Sequence, residues 1–282
     1  MGKPRGYRLG DKPDDLQRAI DQIVEGRKEK EQRDNALKVE RESRKGDGQK
    51  RYLAAGLSVV MLTSFLYFGF QMGWIRLGPP SALSKALSSP QEATILNLDG
   101  KMIGTLPAEI GTLSKLQNLD LDTNKLSSLP SDLGRLTELQ VLSLSYNELS
   151  ALPQELSGMS RLNELSLKAN QFSTFPPVLT SLSELRKLDL SNNQLVELPD
   201  EIGKLRNLQV LSLRGNSLNR LPAALSELRK LEKLDLAQNP LSELPPPESF
   251  PNLRQLSLRQ TKVDDATVAL YQKTIPKVSI LR

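Results

Sequence analysis

Asn124, Asn147, Asn170, Asn193, Asn216 and Asn239 lie 23 residues apart, one after another. Pro107, Pro130, Pro153, Pro176, Pro199, Pro222 and Pro245 keep the same step, as do Leu116, Leu139, Leu162, Leu185, Leu208 and Leu231. A period held this strictly constrains the fold more than any local pattern, because every unit must be the same supersecondary piece. One unit reads LQVLSLSYNELSALPQELSGMSR, residues 139–161. Leu142 and Leu144 are two apart and point to one side of a short strand, while Val141, Ser143 and Ser145 point to the other. Asn147 marks the turn, where its amide can satisfy backbone groups of its own and adjacent turns. Leu149 and Leu152 bring the chain back over the core. Pro153 follows, at an extended or first-turn position that needs no donated N–H. Leu156 and Met159 close the layer from the outer side.

No single unit can bury its own leucines. Stacking makes the core continuous, which predicts an α/β solenoid, curved, with a parallel sheet on its concave face. Eight units start at residues 93, 116, 139, 162, 185, 208, 231 and 253, the seventh one residue short. Lys101 and Thr261 stand where the first and last units should carry Asn, as befits capping units. Residues 76–92 form a short tether and front cap, with a helix predicted over 81–93 behind Ser81 as N-cap. Residues 264–282 form the rear cap: a helix capped by Asp264 and stopped before Pro276, then a last strand carrying Val278 and Ile280. Val278 lies 22 residues after Leu256, so the register is expected to run into a ninth strand.

The stretches LPAEIGTLSKLQNLDLDTNKL (106–126) and LPDEIGKLRNLQVLSLRGNSL (198–218) resemble leucine-rich repeat proteins, in the 23-residue class of Ras-group plant and bacterial repeats. The resemblance covers residues 93 to about 263. It implies a binding scaffold, used through its concave sheet, and says little about the ligand.

The second constraint is a run of 24 uncharged residues, 52–75, in a chain that is otherwise a quarter charged. As a helix it would span about 36 Å, enough for a hydrocarbon core of about 30 Å. Tyr52, Tyr67 and Trp74 lie toward its ends, where amphipathic rings favour the interface. Gly69 and Gly73 form a GxxxG step of the kind that packs membrane helices. The run is too long and too far into the chain for a cleaved leader, so an uncleaved signal anchor is expected. Seven basic residues lie in the 20 before Tyr52, against two in the 20 after Ile75. The positive-inside rule therefore places the N-terminus in the cytoplasm and the repeats across a bacterial inner membrane or an organelle membrane. Only RLGPP separates that span from the front cap, a reach of at most about 17 Å. A solenoid held so close suits a partner in the same bilayer.

Composition removes whole classes of chemistry. There is no Cys and no His among the 282 residues, which leaves no thiolate or imidazole metal site, no disulfide and no Ser–His or Cys–His pair. No cofactor and no small-molecule substrate are expected. Residues 1–51 hold 15 basic and 11 acidic side chains, and residues 76–282 hold 23 and 22, so the repeat region is nearly neutral and a nucleic-acid groove is not indicated. The tail reads as a charged helix over 14–44, with Arg27–Glu31, Glu29–Arg33 and Asp34–Lys38 at supporting spacing. Its brief apolar stripe, Leu16, Ile20 and Ile23, fits either partner docking or a solvated, fraying helix.

The side chains that flank the strand leucines define the candidate face. Asp99, Asp120 and Asp122 make its front acidic. Lys168, Lys187, Asp189, Arg214, Lys233, Asp235 and Arg259 alternate in sign toward the rear, and Tyr146 stands at the rim. Two readings stay open for each charge: contact with a protein, or plain solvation with pairing across strands. Tyr146 is the favoured anchor, because interfaces are enriched in aromatics. The acidic trio lacks the spacing of a calcium loop. Taken together, the expectation is a non-enzymatic, single-pass membrane protein that presents a protein-binding solenoid. The alternative is an accessory structural subunit of a large membrane complex, with a carboxylate hydrolase a distant third.

Overall fold

The computed structural model describes residues 82–282. The predicted tail helix, with Leu16, Ile20 and Ile23, and the predicted span over 52–75 lie outside the described residues. Among the described residues no helix is long and apolar enough to cross a membrane.

Nine three-residue strands pair in parallel and in chain order: β1 (Ile95–Asn97), β2 (Asn118–Asp120), β3 (Val141–Ser143), β4 (Glu164–Ser166), β5 (Lys187–Asp189), β6 (Val210–Ser212), β7 (Lys233–Asp235), β8 (Gln255–Ser257) and β9 (Ser279–Leu281). The central leucines face one another in register, Leu96 to Leu119, Leu119 to Leu142 and onward to Leu256. They are buried, as is the second leucine of each strand unit, from Leu98 to Leu258. The ninth strand corrects one detail of the sequence reading. Ile280, not Val278, pairs with Leu256. The rear helix intervenes between these strands, so the last step is longer, and half-buried Val278 falls just before the strand.

Opposite the sheet, each of the first seven units carries a short 3₁₀ segment: Ala108–Thr112, Ser131–Arg135, Gln154–Gly158, Pro177–Ser181, Asp200–Lys204, Ala223–Glu227 and the three-residue Pro247–Ser249. The periodic proline directly precedes the first six, and Pro246, one residue after the periodic Pro245, precedes the seventh. Pro107, at φ −73° and ψ 151°, is extended, and its carbonyl accepts the first turn bond from the Ile110 N–H at 3.1 Å. Bonds then follow every third residue, Leu113 to Ile110 and Leu116 to Leu113. Three residues per turn align Ile110, Leu113 and Leu116 on one line, and all three are fully buried. An α-helix would rotate them off that line. Neighbouring segments pack closely enough that a Cβ on Gly134 would collide with the Glu155 carbonyl oxygen.

The asparagines join the units. The Asn170 side-chain oxygen accepts the Leu149 N–H at 3.0 Å, from the unit before. Its amide nitrogen donates back to Leu144 O at 2.9 Å and to Leu167 O, at the end of its own strand, at 3.1 Å. Asn124, Asn147, Asn193, Asn216 and Asn239 repeat the pattern at the same offsets. The residue before each one is left-handed, with φ between 53° and 66° at Thr123, Tyr146, Ala169, Asn192, Gly215 and Gln238. That conformation costs a non-glycine residue about 1–2 kcal/mol. The amide network holds it in place.

The ends are capped. Helix α1 (Ala82–Ser88) buries Leu83 at the front. Helix α2 (Asp265–Thr274) starts at Asp264, whose carboxylate accepts the Thr267 N–H at 2.7 Å. Tyr271 of α2 is buried and donates its hydroxyl to Pro245 O at 2.5 Å. In place of the missing asparagine, the Thr261 hydroxyl donates to Leu258 O at 2.8 Å, which satisfies one carbonyl of the turn.

Two outcomes are expected. Asn170→Ala leaves a buried N–H and two buried carbonyls short of a partner, so it should lower unfolding stability by about 2–4 kcal/mol in urea titration. Burial, with Glu248 adding to it, raises the Tyr271 phenol above its ordinary value. The unfolded phenol then ionises before the folded one, so stability should fall as pH rises above about 10. Tyr271→Phe should remove that part of the alkaline slope in denaturation curves measured from pH 8 to 11.

Candidate functional site

Three outward-facing positions recur on each strand unit, and they make the exposed face of the sheet. On β1 to β3 they carry three carboxylates, Asp99, Asp120 and Asp122, and no base. On β4 to β8 they carry Lys168, Lys187, Arg214, Lys233 and Arg259 against Glu164, Asp189 and Asp235. All eleven residues singled out from the sequence lie on this side or at its rim. They form one extended row of charge, not a convergent cleft.

The acidic trio is divided by its hydrogen bonds. Asp120 accepts the Asp122 N–H at 3.1 Å through one oxygen and the Asn97 amide at 3.0 Å through the other. Asp122 accepts both the Ser143 hydroxyl and the Ser145 N–H at 2.6 Å through one oxygen. Asp99 is exposed, and its carboxylate makes no hydrogen bond or ion pair among the described residues. Two of the three carboxylates therefore hold neighbouring strands together. Among the described residues no cluster of three or more acidic side chains could hold a metal ion.

Tyr146 is about half exposed, at 51 %, and the Lys168 ammonium lies 5.1 Å from its ring centre. The Tyr146 side chain raises the lysine pKa, against partial burial, which lowers it. The pair is a cation resting on an aromatic face. Lys187 meets Glu164 at 2.6 Å, and both are exposed enough that the bridge contributes at most about 1 kcal/mol. Asp189 and Asp235 each accept a backbone N–H two residues on, from Ser191 and Ala237. Arg214 donates its Nε to Gln238 at 2.9 Å, and Gln238 donates in turn to Gln260 at 2.8 Å. Lys233 and Arg259 have no partner among the described residues.

The rim glutamines and the stacking of Lys168 on Tyr146 are absent from a reading by strand alternation alone. Tyr146 and Gln238 occupy the left-handed position before an Asn, and Gln260 occupies the same position before Thr261. Glycine at the same position in Gly100 and Gly215 is the sequence mark of that geometry. On the opposite side, the segments at Asp200–Lys204 and Ala223–Glu227 flank an open depression of about 520 Å³. It is lined by Asp200, Glu201, Gly203, Lys204, Arg206, Ala224 and Glu227 and lies open to solvent, unlike the enclosed pockets that take small molecules.

Three family models match the chain in succession: a leucine-rich repeat region over residues 94–191, a leucine rich repeat over 183–241, and two copies of leucine rich repeats over 229–269. The chain is a leucine-rich repeat protein. Families of this kind are generally non-enzymatic protein-interaction modules. No curated protein sequence matches. Among solved structures, internalin C2 of Listeria monocytogenes is similar at 27 % identity, with a TM-score of 0.60, over 69 % of this chain and 83 % of its own. The plant peptide hormone receptor RGFR1, in complex with RGF2, is similar at 29 % identity, with a TM-score of 0.54, over 67 % of this chain. The ectodomain of the Arabidopsis thaliana membrane receptor kinase GASSHO1/SCHENGEN3, in complex with CASPARIAN STRIP INTEGRITY FACTOR 2, is similar at 36 % identity, with a TM-score of 0.51, over 57 % of this chain. The matched regions span 35 % and 20 % of those two plant chains.

The hydrogen bonds of the leucine-rich repeat face separate two neighbouring acids. Asp122→Ala removes the acceptor of two short bonds and should cost about 1–3 kcal/mol. Asp99→Ala should change stability by less than about 0.5 kcal/mol. Paired urea denaturation of the two variants checks this.

Proposed function

We propose that this leucine-rich repeat protein presents the exposed face of its sheet to a protein partner at a membrane surface. Residues 52–75 are its single span, residues 1–51 its cytoplasmic tail, and the repeats of 93–263, between caps at 76–92 and 264–282, face away from the cytoplasm. The observation that carries this reading is the use of side chains across the fold. The leucines, asparagines and prolines are consumed in stacking. The outward row keeps an exposed tyrosine and several charges that the stack does not need. The side chains of Asp99, Lys233 and Arg259 make no hydrogen bond or ion pair among the described residues, and such groups are available to a partner. The two plant receptors solved in complexes lend support by analogy of fold. Charge of both signs and a single aromatic anchor favour a steered contact of modest affinity.

The chain has no cysteine, which makes topology directly testable. Ser127→Cys lies at an exposed position of the repeats, and Ser43→Cys lies in the tail. In intact cells or sealed organelles a membrane-impermeant maleimide should label only the first. Labelling of the tail variant alone would invert the topology. A photo-crosslinking residue at Lys233, on the sheet face, should capture a protein, and the same residue at Ser131, on the 3₁₀ side, should not. Capture only from Ser131 would rule out the sheet face. Co-migration of the whole pool in one stoichiometric assembly would make the protein an accessory subunit instead.

A further inference from the structure

From β2 to β8 one column of the sheet face alternates with a period of two units; beside β1 the same position holds Asp99, outside that alternation. The position after the second strand leucine holds Asp122, Lys168, Arg214 and Arg259 beside the even strands β2, β4, β6 and β8. Beside β3, β5 and β7 it holds Ser145, Ser191 and Ala237. The three small residues are buried, at 5 %, 4 % and 1 % exposure. The charged side chains thus stand apart from one another above a low floor. Backbone bonds continue across the column, from Tyr146 to Lys168, Ala169 to Ser191, Asn192 to Arg214 and Gln238 to Arg259, so its members stay in step.

Two properties make this column suited to a ligand. First, its charged groups keep outer atoms unused, and two of them are held by rim residues. Lys168 rests on Tyr146. Arg214 is braced through Nε alone, which leaves the end of its guanidinium fork open. Arg259 has no partner among the described residues. Asp122 spends one oxygen on the strand, and its other oxygen makes no bond among the described residues. Second, the spacing is regular. Strands lie about 4.8 Å apart, so successive charges on every second strand are about 9.6 Å apart. A polyproline II helix has three residues per turn and rises about 3.1 Å per residue, so its same-face side chains recur every ~9.3 Å. From β2 to β8 the column runs about 29 Å, and ten residues of that helix span about 28 Å.

Resting on the binding face proposed above, we infer that the partner contributes an extended, polyproline II-like segment with one basic residue followed at three-residue steps by three carboxylates. The basic residue faces Asp122. The carboxylates face Lys168, Arg214 and Arg259. Asp189 and Asp235 stand on the intervening strands, two residues earlier, with one oxygen each committed to the backbone. Their remaining oxygens can accept backbone N–H groups, which a polyproline II chain leaves unpaired. The segment therefore has non-proline residues between its acids. Tyr146 provides the aromatic surface on which such chains dock.

The test uses the full chain in detergent and two peptides of equal composition, blocked at both ends. KAPEAPEAPE carries the predicted spacing, and KAPAPAPEEE bunches its acids. The reverse peptide EPAEPAEPAK keeps the spacing in the opposite chain direction. By titration calorimetry or NMR, one spaced peptide should bind at least about fivefold tighter than the bunched one, and tighter at low salt than at high. Arg214→Gln and Arg259→Gln should each weaken it about fivefold. Lys204→Gln, on the 3₁₀ side, should not. Both arginines are exposed, so the variants should keep the wild-type melting temperature. Equal binding of spaced and bunched peptides, or binding unaffected by Arg214→Gln, would overturn the inference. Should no peptide bind while crosslinking from Lys233 still captures a protein, this inference fails and the binding face stands. Loss of both results removes both.

Discussion

The buried asparagine amide is the contact on which the rest of the structure depends. A turn at the end of every strand brings backbone N–H and carbonyl groups into an apolar stack. Each such group would cost about 1–3 kcal/mol if left unpaired. One side chain with an acceptor and a two-hydrogen donor answers several of them at once. Asn170 links its own strand end to Leu144 and Leu149 of the preceding unit. The bond that completes one turn therefore also sets the next unit's position. This is why the asparagine step and the unit step are the same number.

Everything outside that ladder adapts to it. The left-handed residue beside each Asn is tolerated because the amide bonds fix the turn around it. The 3₁₀ segments supply a three-residue spacing that lines up Ile110, Leu113 and Leu116 above the strand leucines. Their close approach requires glycine at Gly134, where a Cβ would meet a carbonyl of the next unit. Where the ladder ends, the caps take over. Thr261 keeps one bond of that network, and Tyr271 ties the rear helix to Pro245.

Because stacking absorbs the inward residues, the outward ones are left to vary. Their variation is not random along the sheet. Acids gather at the front, and charge alternates with small residues toward the rear. Some of this charge serves the strands, as Asp120 and Asp122 show, and some stands unengaged, as Asp99, Lys233 and Arg259 do. A repeat scaffold thus puts the residues that stack and the residues free to vary on opposite faces of the same short strands.

The sequence alone was enough to determine the unit, the order of the strands and the inward set. A 23-residue period leaves one way to bury its leucines, and the pleat assigns every strand residue to a face. The same alternation placed ten of the candidate residues on one surface, with Tyr146 at its rim where the strand turns. Tertiary structure decided what alternation cannot express. The register of β9 depends on how much chain α2 consumes, so Ile280 took the place that spacing alone assigned to Val278. The 3₁₀ form of the return segments follows from packing against neighbours. The difference between Asp122, which bonds the next strand, and Asp99, which does not, rests on a side-chain contact 21 residues away and a backbone N–H 23 residues away. The stacking of Lys168 on Tyr146 and the bracing of Arg214 by Gln238 have the same origin. Periodicity fixes where a side chain starts, and only the packed neighbours fix where its polar end arrives.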